Sequence, residues 1–371
     1  SALGGNQQDK DLVRDLLKFA IACDKERMKK VIESATGKFG EMNGFVDMPN
    51  KDEVTPLMFA AHSDAEDALL CTRILMERGA SQLKISRRGC TALMMAAAAG
   101  NIPIVNILLH HRAQIDRKCS GGYTALHLAI EYGHAEVATN LIIAGADVIT
   151  RLDNGWSCLM TAAHCGTVGV LKDLIEKPDD ANVTFTPPNV DKQSGEFAPI
   201  HMAAFHGFAS TLMELVRLGA AIDLPMKNGW TALMIAALQG HKAACEALLQ
   251  SGAHIDLQSP LDGTTPLMAA VSNPYTADCV GLLLQASASV NLRDGMGLDA
   301  IMFACRNGHT PAVQQLLRQR ADVKHARPGG TTALMDAAAS GSHAIVRLLL
   351  NANAELGATD ENGMNALMHS A

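Results

Sequence analysis

The chain has 371 residues, a formal net charge of −7 and 48 % hydrophobic residues, of which few are aromatic. A single ordinary core is excluded, because cores stop growing near roughly 250–300 residues and longer chains form several domains or extended arrays. The acidic balance argues against a nucleic-acid partner, and the lack of any run of about 18 apolar residues argues against membrane insertion.

The first elements of the chain are predicted to cap an array. Residues 1–10 start with small and polar side chains, which predicts a disordered segment or a cloning remnant. From Asp11 to Ala35 apolar residues recur at helical spacing, with charges at the other positions. We therefore predict an N-terminal helical capping repeat over residues 11–44, because a terminal repeat needs one polar face.

The rest of the chain is a repeat with a period of 33 or 34 residues at most steps. Short runs built on Thr-Ala/Pro-Leu-Met/His begin at Thr55, Thr91, Thr124, Ser157, Ala198, Thr231, Thr265, Asp299, Thr332 and Asn365. Glycine stands two residues before eight of these ten starts, which predicts a turn with positive φ. Two apolar runs at helical spacing follow each turn, and glycine ends each run. The sequence thus predicts an all-α solenoid of stacked turn-helix-turn-helix repeats.

The repeat motif resembles that of a known family. The pattern G-x-T-A/P-L-M/H-x-A-A-x-x-G-H, present from Gly122 to Val148 and from Gly229 to Ile255, is similar to the ankyrin repeat. The resemblance covers residues 45–371, where ten copies keep register and the last is truncated. It implies a non-enzymatic scaffold for protein–protein interaction, which binds a partner segment on the concave face lined by turns and first helices.

The chain departs from the family pattern in its histidines and in one spacing. Met replaces the usual His after Leu in most copies, and only His127 and His201 keep it, so Met packing should replace most imidazole hydrogen bonds. A 41-residue spacing places extra residues at 184–192, where Phe185 stands beside two prolines. This insertion is interpreted either as a neutral loop or as a projection that meets a partner. The last copy stops inside its first helix, so we expect the parent polypeptide to continue beyond Ala371.

Aromatic residues define the candidate binding site. The position before the repeat start is aromatic in four consecutive repeats, and further rings or imidazoles stand seven and eight residues after the start. Because aromatic residues dominate interface hot spots, these positions predict a partner-binding strip. Together with the insertion, the predicted site residues are Tyr123, Tyr132, Trp156, His164, Phe185, Phe197, Phe205, His206 and Trp230. The alternative is that the rings pack on neighbouring turns and only stiffen the stack.

No catalytic or metal-binding constellation is recognised in the sequence. His164 and Cys165 are adjacent, and adjacent helical residues do not face one another. His134, His241 and His309 follow a glycine between helices at matching positions, which predicts a structural role. The nine cysteines lack a C-x-x-C pair, which predicts reduced thiols and no structural zinc. We expect a monomer that is not an enzyme and has no cofactor, located in the cytoplasm or alternatively in the nucleus.

Three other interpretations stay open at this point. The chain could be the targeting or autoinhibitory ankyrin domain of a larger enzyme or channel that continues past Ala371. The rings could hold a small ligand rather than a protein. A basic cluster precedes the aromatic positions and could contact an acidic peptide, although charge on turns is usually solvated. Its members are Arg87, Arg88, Arg112, Arg117 and Lys118.

Overall fold

The computed structural model describes residues 7–39, 44–175 and 198–370. Within these ranges the regular elements are helices, together with three isolated backbone bridges across turns. The all-α fold predicted from the repeat is confirmed. The chain divides into two compact units, residues 1–184 and 185–371.

The first unit is a double row of helices. Its helices are α1 Gln7–Ile21, α2 Lys25–Phe39, α3 Pro56–His62, α4 Ala68–Glu77, α5 Ala92–Ala99, α6 Ile102–His110, α7 Ala125–Glu131, α8 Ala135–Ile143, α9 Cys158–Cys165 and α10 Val168–Ile175. Odd-numbered helices pack on one another in sequence to form one row, and even-numbered helices form the other. Helices α1 and α2 form the helical pair that the sequence predicts from Asp11 to Ala35. The pair begins four residues earlier and ends four residues later than predicted.

The second unit repeats this arrangement. Its helices are α11 Pro199–His206, α12 Ala209–Arg217, α13 Ala232–Gln239, α14 Lys242–Gln250, α15 Pro266–Val271, α16 Ala277–Gln285, α17 Ala300–Arg306, α18 Thr310–Arg318, α19 Ala333–Ala339, α20 His343–Asn351 and α21 Ala366–His369. Helices α11, α13, α15, α17, α19 and α21 form the row of first helices, and α12, α14, α16, α18 and α20 form the row of second helices. Each unit is therefore a stack in which a repeat contacts its neighbours in sequence.

The repeat motif produces the first helix of each pair. The side chain at the repeat start caps that helix in eight of the ten repeats, all but those that start at Ala198 and Thr231. In one of them Thr91 Oγ1 accepts a hydrogen bond from the backbone N–H of Met94 at 3.3 Å. Such a bond satisfies one of the free N–H groups of a helix start. Two consecutive alanines, such as Ala96 and Ala97, are completely buried, which lets neighbouring first helices approach closely. The helix ends at Gly100, whose φ of +75° lies in the left-handed region.

The methionines that replace histidine are core residues, as predicted, except Met368 in the last copy, which is 54 % exposed. Met58, Met94 and Met234 are all buried after their leucines. Where histidine is kept, it is buried too and bonds to nearby groups. His201 Nε2 lies 2.8 Å from the carbonyl oxygen of Leu224 in the next turn, and His127 Nδ1 lies 2.9 Å from Thr124 Oγ1. The expected division between methionine packing and imidazole hydrogen bonding is confirmed.

The turns before the first helices are joined to one another. We call the turn segment before a first helix the finger of that repeat, for example residues 148–156. All eight predicted turn glycines have positive φ, and Glu53, at a start that lacks glycine, also has positive φ, +61°. Backbone hydrogen bonds connect adjacent fingers, as from Ser120 N to the carbonyl oxygen of Arg88 at 2.9 Å and from Asp153 N to that of Gly121 at 2.9 Å. These bonds hold successive fingers at fixed spacing.

A second series of bonds connects adjacent repeats through side chains. A residue in the turn before the second helix reaches back to a carbonyl oxygen at the end of the preceding repeat's first helix, and we call it the clamp residue. The clamp pairs are Asn101 with Ser63, His134 with Ala98, Thr167 with Ile130, His241 with Phe205 and Asn273 with Leu238. The structural role predicted for His134 and His241 is confirmed. His309 differs, because it is completely buried and its Nδ1 accepts a hydrogen bond from Ala312 N.

Candidate functional site

Both tryptophans occupy the same place in their fingers. Asn154 Oδ1 accepts a hydrogen bond from Trp156 N at 3.0 Å, and Asn228 Oδ1 accepts one from Trp230 N at 3.1 Å. The carbonyl oxygen of Trp156 accepts a further bond from Leu152 N at 2.9 Å. An Asn side chain bonded to the backbone two residues later makes a rigid turn. The two indoles therefore project from fingers with the same fixed backbone.

In the first unit, the rings of Trp156 and Tyr123 are supported within their own repeats. Trp156 is half-buried, and its ring meets that of His164 edge to face with centroids 4.9 Å apart. Tyr123 is also half-buried and lies edge-on to the buried His127 at 6.3 Å. Tyr132 follows helix α7 and is 61 % exposed. We call Tyr123, Tyr132, Trp156 and His164 the first patch, whose rings lie at the fingers and at the ends of the first helices.

The charges around the first patch are mixed. Burial and, after it, the nearby Glu131 carboxylate raise the pKa of Tyr123, so its hydroxyl stays neutral. The same two causes raise the pKa of Cys165. On the finger side, Arg87 Nη2 donates to the carbonyl oxygen of Lys51 at 2.7 Å, and Lys118 Nζ donates to that of Arg151 at 3.1 Å. Of the basic side chains predicted from the sequence, Arg87 thus bonds to the finger before its own and Lys118 to the finger after its own.

In the second unit, the predicted residues form a ring cluster and a separate indole. His206 meets Phe205 edge to face at 5.2 Å and stacks on Phe208 at 5.7 Å. Phe205 is 41 % exposed at the end of α11. Trp230 is half-buried, and its Nε1 lies 3.5 Å from Asp262 Oδ2 on the next finger. We call Phe205, His206 and Trp230 the second patch.

Two predicted site residues, Phe185 and Phe197, lie outside the described residues. The strip expected from the sequence is therefore represented by two patches, one in each unit. Its rings are partly or largely accessible to solvent, so they are available for contact as well as for packing within their own repeats. That a partner contacts them stays a prediction.

Several exposed apolar residues of the second unit are not among the predicted site residues. Leu261 is 71 % exposed on the finger after that of Trp230, and Met296 is 64 % exposed on the finger after that. Gly295 N donates to the carbonyl oxygen of Asp262 at 2.8 Å, which holds these two fingers side by side. Leu261 stands two residues before its turn glycine, where four other repeats carry Arg, Ser, Asp or Lys, and this apolar exception is the signal that could have found it. Phe208 was missed because it stands ten residues after the repeat start.

The described residues contain neither a group suited to a metal ion nor a helix suited to a membrane. In the described ranges, no three His, Cys, Asp or Glu side chains are grouped so that they could hold a metal ion. Across the same part of the chain, none of the helices combines the length and the apolar character needed to cross a lipid bilayer. All nine cysteines are free thiols.

Comparison with known proteins places the repeats in context. The family described as "Ankyrin repeats (3 copies)" matches the chain in overlapping segments, residues 7–119, 70–152, 115–187, 159–259, 200–294, 254–327 and 301–371. The chain is similar to the mouse B-cell lymphoma 3 protein homolog, with 33 % identity over 166 residues, which is 44 % of this chain and 36 % of that protein. It is also similar to the human SH3 and multiple ankyrin repeat domains protein 2, with 34 % identity over 144 residues, which is 38 % of this chain and 8 % of that protein.

A third relative shows the same partial coverage. The chain is 36 % identical over 111 residues to the ankyrin repeat, SAM and basic leucine zipper domain-containing protein 1 of Colobus guereza, covering 29 % of this chain and 23 % of that protein. The chain thus spans little more than a third, or less, of the length of these curated relatives.

Proposed function

Because the chain belongs to the ankyrin repeat family, whose repeats are protein-interaction modules, we propose that it is a non-enzymatic scaffold that binds a partner segment on its finger and first-helix face. The observation that carries the proposal is that each unit holds a half-buried indole, Trp156 in the first and Trp230 in the second, by the same kind of Asn turn. The site residues are those of the first and second patches.

These rings lose little entropy on binding. Binding costs free energy when mobile side chains and loops must be ordered. Here the fingers are already held by backbone hydrogen bonds, and Trp156 packs against His164 before any partner arrives. A rigid aromatic ring that still exposes part of its surface offers a large contact area at low entropic cost. Affinity is therefore assigned to the rings.

Specificity is assigned to the polar groups beside them. Near the first patch these are the exposed Glu131 and the basic side chains of the fingers, such as Arg88 and Lys118. Near the second patch the exposed Asp262 accompanies Trp230. Charges at the rim of an interface select partners and set the association rate more than they add affinity. The segment that binds is proposed to be extended or helical.

A peptide-display selection against the purified chain tests the proposal. Binders are measured against Trp156→Ala and Trp230→Ala, with Tyr275→Ala as the matched control. Tyr275 is 92 % exposed between α15 and α16, away from the fingers. We expect the tightest binders to lose at least about tenfold in affinity, roughly 1.4 kcal/mol, on one tryptophan variant and to keep it on the control. Equal binding to all three variants would contradict the site assignment.

The second candidate is that the chain serves as the targeting or autoinhibitory domain of a larger enzyme or channel. It is favoured by the short share of the relatives that the chain covers, 8 % in the human one. Reading the gene beyond the codon for Ala371 tests this candidate. An open reading frame for a catalytic or channel domain supports it, and a stop codon contradicts it.

The chain is further proposed to act as a monomer in the cytoplasm or nucleus. Its nine thiols are the observation that favours a reducing compartment. Sedimentation of the purified chain and fractionation of cells that express it test the two parts of this proposal.

A further inference from the structure

Cysteines of adjacent repeats meet in three places. Cys71 interacts with Cys23, Cys119 with Cys90, and Cys245 with Cys279. The first and third pairs are buried, whereas Cys90 and Cys119 are both half-buried. Cys90 and Cys119 are thus the one pair of the three that solutes can reach.

The fingers hold Cys90 and Cys119 side by side. Ser120 N and Ser120 Oγ both donate to the carbonyl oxygen of Arg88, at 2.9 Å and 2.8 Å. A Cβ placed on Gly89 would lie 3.3 Å from Cys119 Cα and 3.7 Å from Cys119 Cβ. Each cysteine is also fixed inside its own finger, because Cys119 N donates to Tyr123 O at 2.8 Å and Cys90 N donates to Ser86 Oγ at 3.1 Å. The two cysteines therefore lie on adjoining fingers that hydrogen bonds already hold together.

The surroundings of Cys90 favour its thiolate. The hydrogen bond from Cys119 lowers the pKa of Cys90 to about 6, against the opposing effect of burial, and Ser86 and Arg88 lower it further. Burial raises the pKa of Cys71 and of Cys158 to about 12 each. The thiolate is the reactive form of cysteine, and access decides whether an oxidant reaches it. Cys90 combines both conditions.

We propose that Cys90 and Cys119 form a modification site for hydroperoxides, at which a disulfide joins the fingers of two adjacent repeats. In the first step the Cys90 thiolate attacks a peroxide oxygen. The O–O bond breaks, a Cys90 sulfenic acid forms, and the leaving hydroxide or alkoxide takes up a proton. The sulfur loses two electrons and the peroxide gains them.

In the second step Cys119 resolves the sulfenic acid. Its sulfur attacks Cys90 Sγ, the S–O bond breaks, and water leaves with the proton of the Cys119 thiol. The Cys90 hydrogen bond is the largest cause of the raised pKa of Cys119, followed by burial and by the Cys90 charge. Conversion of Cys90 to a neutral sulfenic acid removes the charge and changes the hydrogen bond, so Cys119 becomes a better nucleophile when it is needed.

The site borders the first patch. Cys90 occupies the finger position that Tyr123 and Trp156 occupy in the next two repeats. Cys119 is bonded through its backbone N–H to the carbonyl oxygen of Tyr123. A disulfide here therefore ties together the finger that carries Tyr123 and the finger before it.

Peptide mapping after mild oxidation tests the proposal on the folded chain. The chain is treated with equimolar hydrogen peroxide, free thiols are blocked with N-ethylmaleimide, and trypsin is added. Cys90 and Cys119 are the single cysteines of fragments 89–112 and 119–151, whereas Cys23 and Cys71 lie in fragments 19–25 and 52–73. We expect fragments 89–112 and 119–151 to be linked within one chain, about tenfold faster than any other pair.

Two variants distinguish the steps. In Cys119→Ser the Cys90 sulfenic acid should persist and be trapped by dimedone, and in Cys90→Ser the Cys119 thiol should survive the same treatment. Circular dichroism establishes that both variants fold. Loss of the Cys119 thiol in Cys90→Ser at the rate of the unchanged chain, linkage between chains instead of within one, or oxidation of the buried pairs at an equal rate would each overturn the proposal.

Discussion

The Nε2 atom of His134 lies 3.1 Å from the carbonyl oxygen of Ala98, in the first helix of the preceding repeat. Since a carbonyl oxygen only accepts, Nε2 carries the proton of this imidazole. The same ring covers the glycine that ends that helix, because a Cβ on Gly100 would lie 2.5 Å from His134 Nδ1. One side chain thus closes a hydrogen bond and a close packing contact between two repeats.

Removal of the clamp side chain should destabilise the first unit. We expect His134→Ala to lower the free energy of unfolding by about 1 kcal/mol, the net value of one hydrogen bond. His134→Asn is the matched control, because Asn101 and Asn273 make the same bond in other repeats at 3.3 Å and 2.9 Å. Urea unfolding followed by circular dichroism measures both. If the Asn variant is as unstable as the Ala variant, the bond to Ala98 is not the cause.

Substitution of Gly100, the glycine beneath that ring, should destabilise the fold more than substitution of Gly133. Gly100 and Gly133 both have positive φ, +75° and +79°, so alanine is strained at either by about 1 kcal/mol. A Cβ on Gly133 meets nothing within 4 Å, whereas one on Gly100 meets the His134 ring. We therefore expect Gly100→Ala to cost about 1 kcal/mol more than Gly133→Ala, since the ring must leave Ala98. In a double-mutant cycle, His134→Ala should abolish this difference, and additive effects would count against the contact.

Placing glycine in the turn that lacks it should raise the stability of the fold. Glu53 is exposed, with φ +61°, at the position where eight other fingers have glycine. Left-handed backbone costs a residue with a Cβ about 1–2 kcal/mol, and the extra entropy of glycine in the unfolded chain offsets part of the gain. We expect Glu53→Gly to raise the free energy of unfolding by about 0.5–1 kcal/mol. Glu53→Ala, which keeps the strain, should leave it unchanged. Equal gains in both variants would show that the glutamate charge, not φ, is responsible.

Acid should weaken the fold through the two histidines that are buried in first helices, His127 and His201. Burial lowers the pKa of His127 and of His201 from 6.5 to about 4 each. Between pH 6.5 and pH 4 the unfolded chain therefore binds protons that the folded chain does not, so stability falls as the pH falls through this window. The loss approaches about 3 kcal/mol per histidine near pH 4.

Methionine at these two positions is the matched control, since it stands there in the other repeats. In the variant His127→Met/His201→Met, urea midpoints measured from pH 7.5 to pH 4 should decline less steeply than in the unchanged chain. Parallel curves would show that other groups carry the acid sensitivity.

The fold was predictable because each repeat contains residues that mark where its first helix starts, packs and ends. The Thr91 cap, the Ala96–Ala97 pair and the closing Gly100 each specify a local conformation, and all three recur at one period. Less predictable was the start of α1 at Gln7, since only buried positions such as Leu16 and Ala20 show helical spacing. Polar residues that extend a helix into solvent leave no such pattern.

The finger positions of the candidate site residues follow from the sequence, whereas their contacts do not. Register placed Trp156 and Trp230 at the same finger position, and the structure gives both the same Asn turn. The sequence register could not show that the Trp156 ring packs against His164 or that Trp230 Nε1 lies near Asp262. These contacts depend on how side chains pack within a repeat and between repeats. Exposed Leu261 was overlooked because a search for aromatic rings passes over an aliphatic fingertip.

The clamp hydrogen bonds of each unit all run in the same direction along the chain. Each reaches back toward the N-terminal side, as His241 does to Phe205. A repeat that frays from the C-terminal side leaves behind only a helix-end carbonyl, which water readily satisfies. Fraying from the N-terminal side instead leaves an imidazole or amide donor on the remaining repeat. That side chain has then lost both its acceptor and the surface on which it packed. Unravelling of either unit should therefore begin more easily at its C-terminal edge.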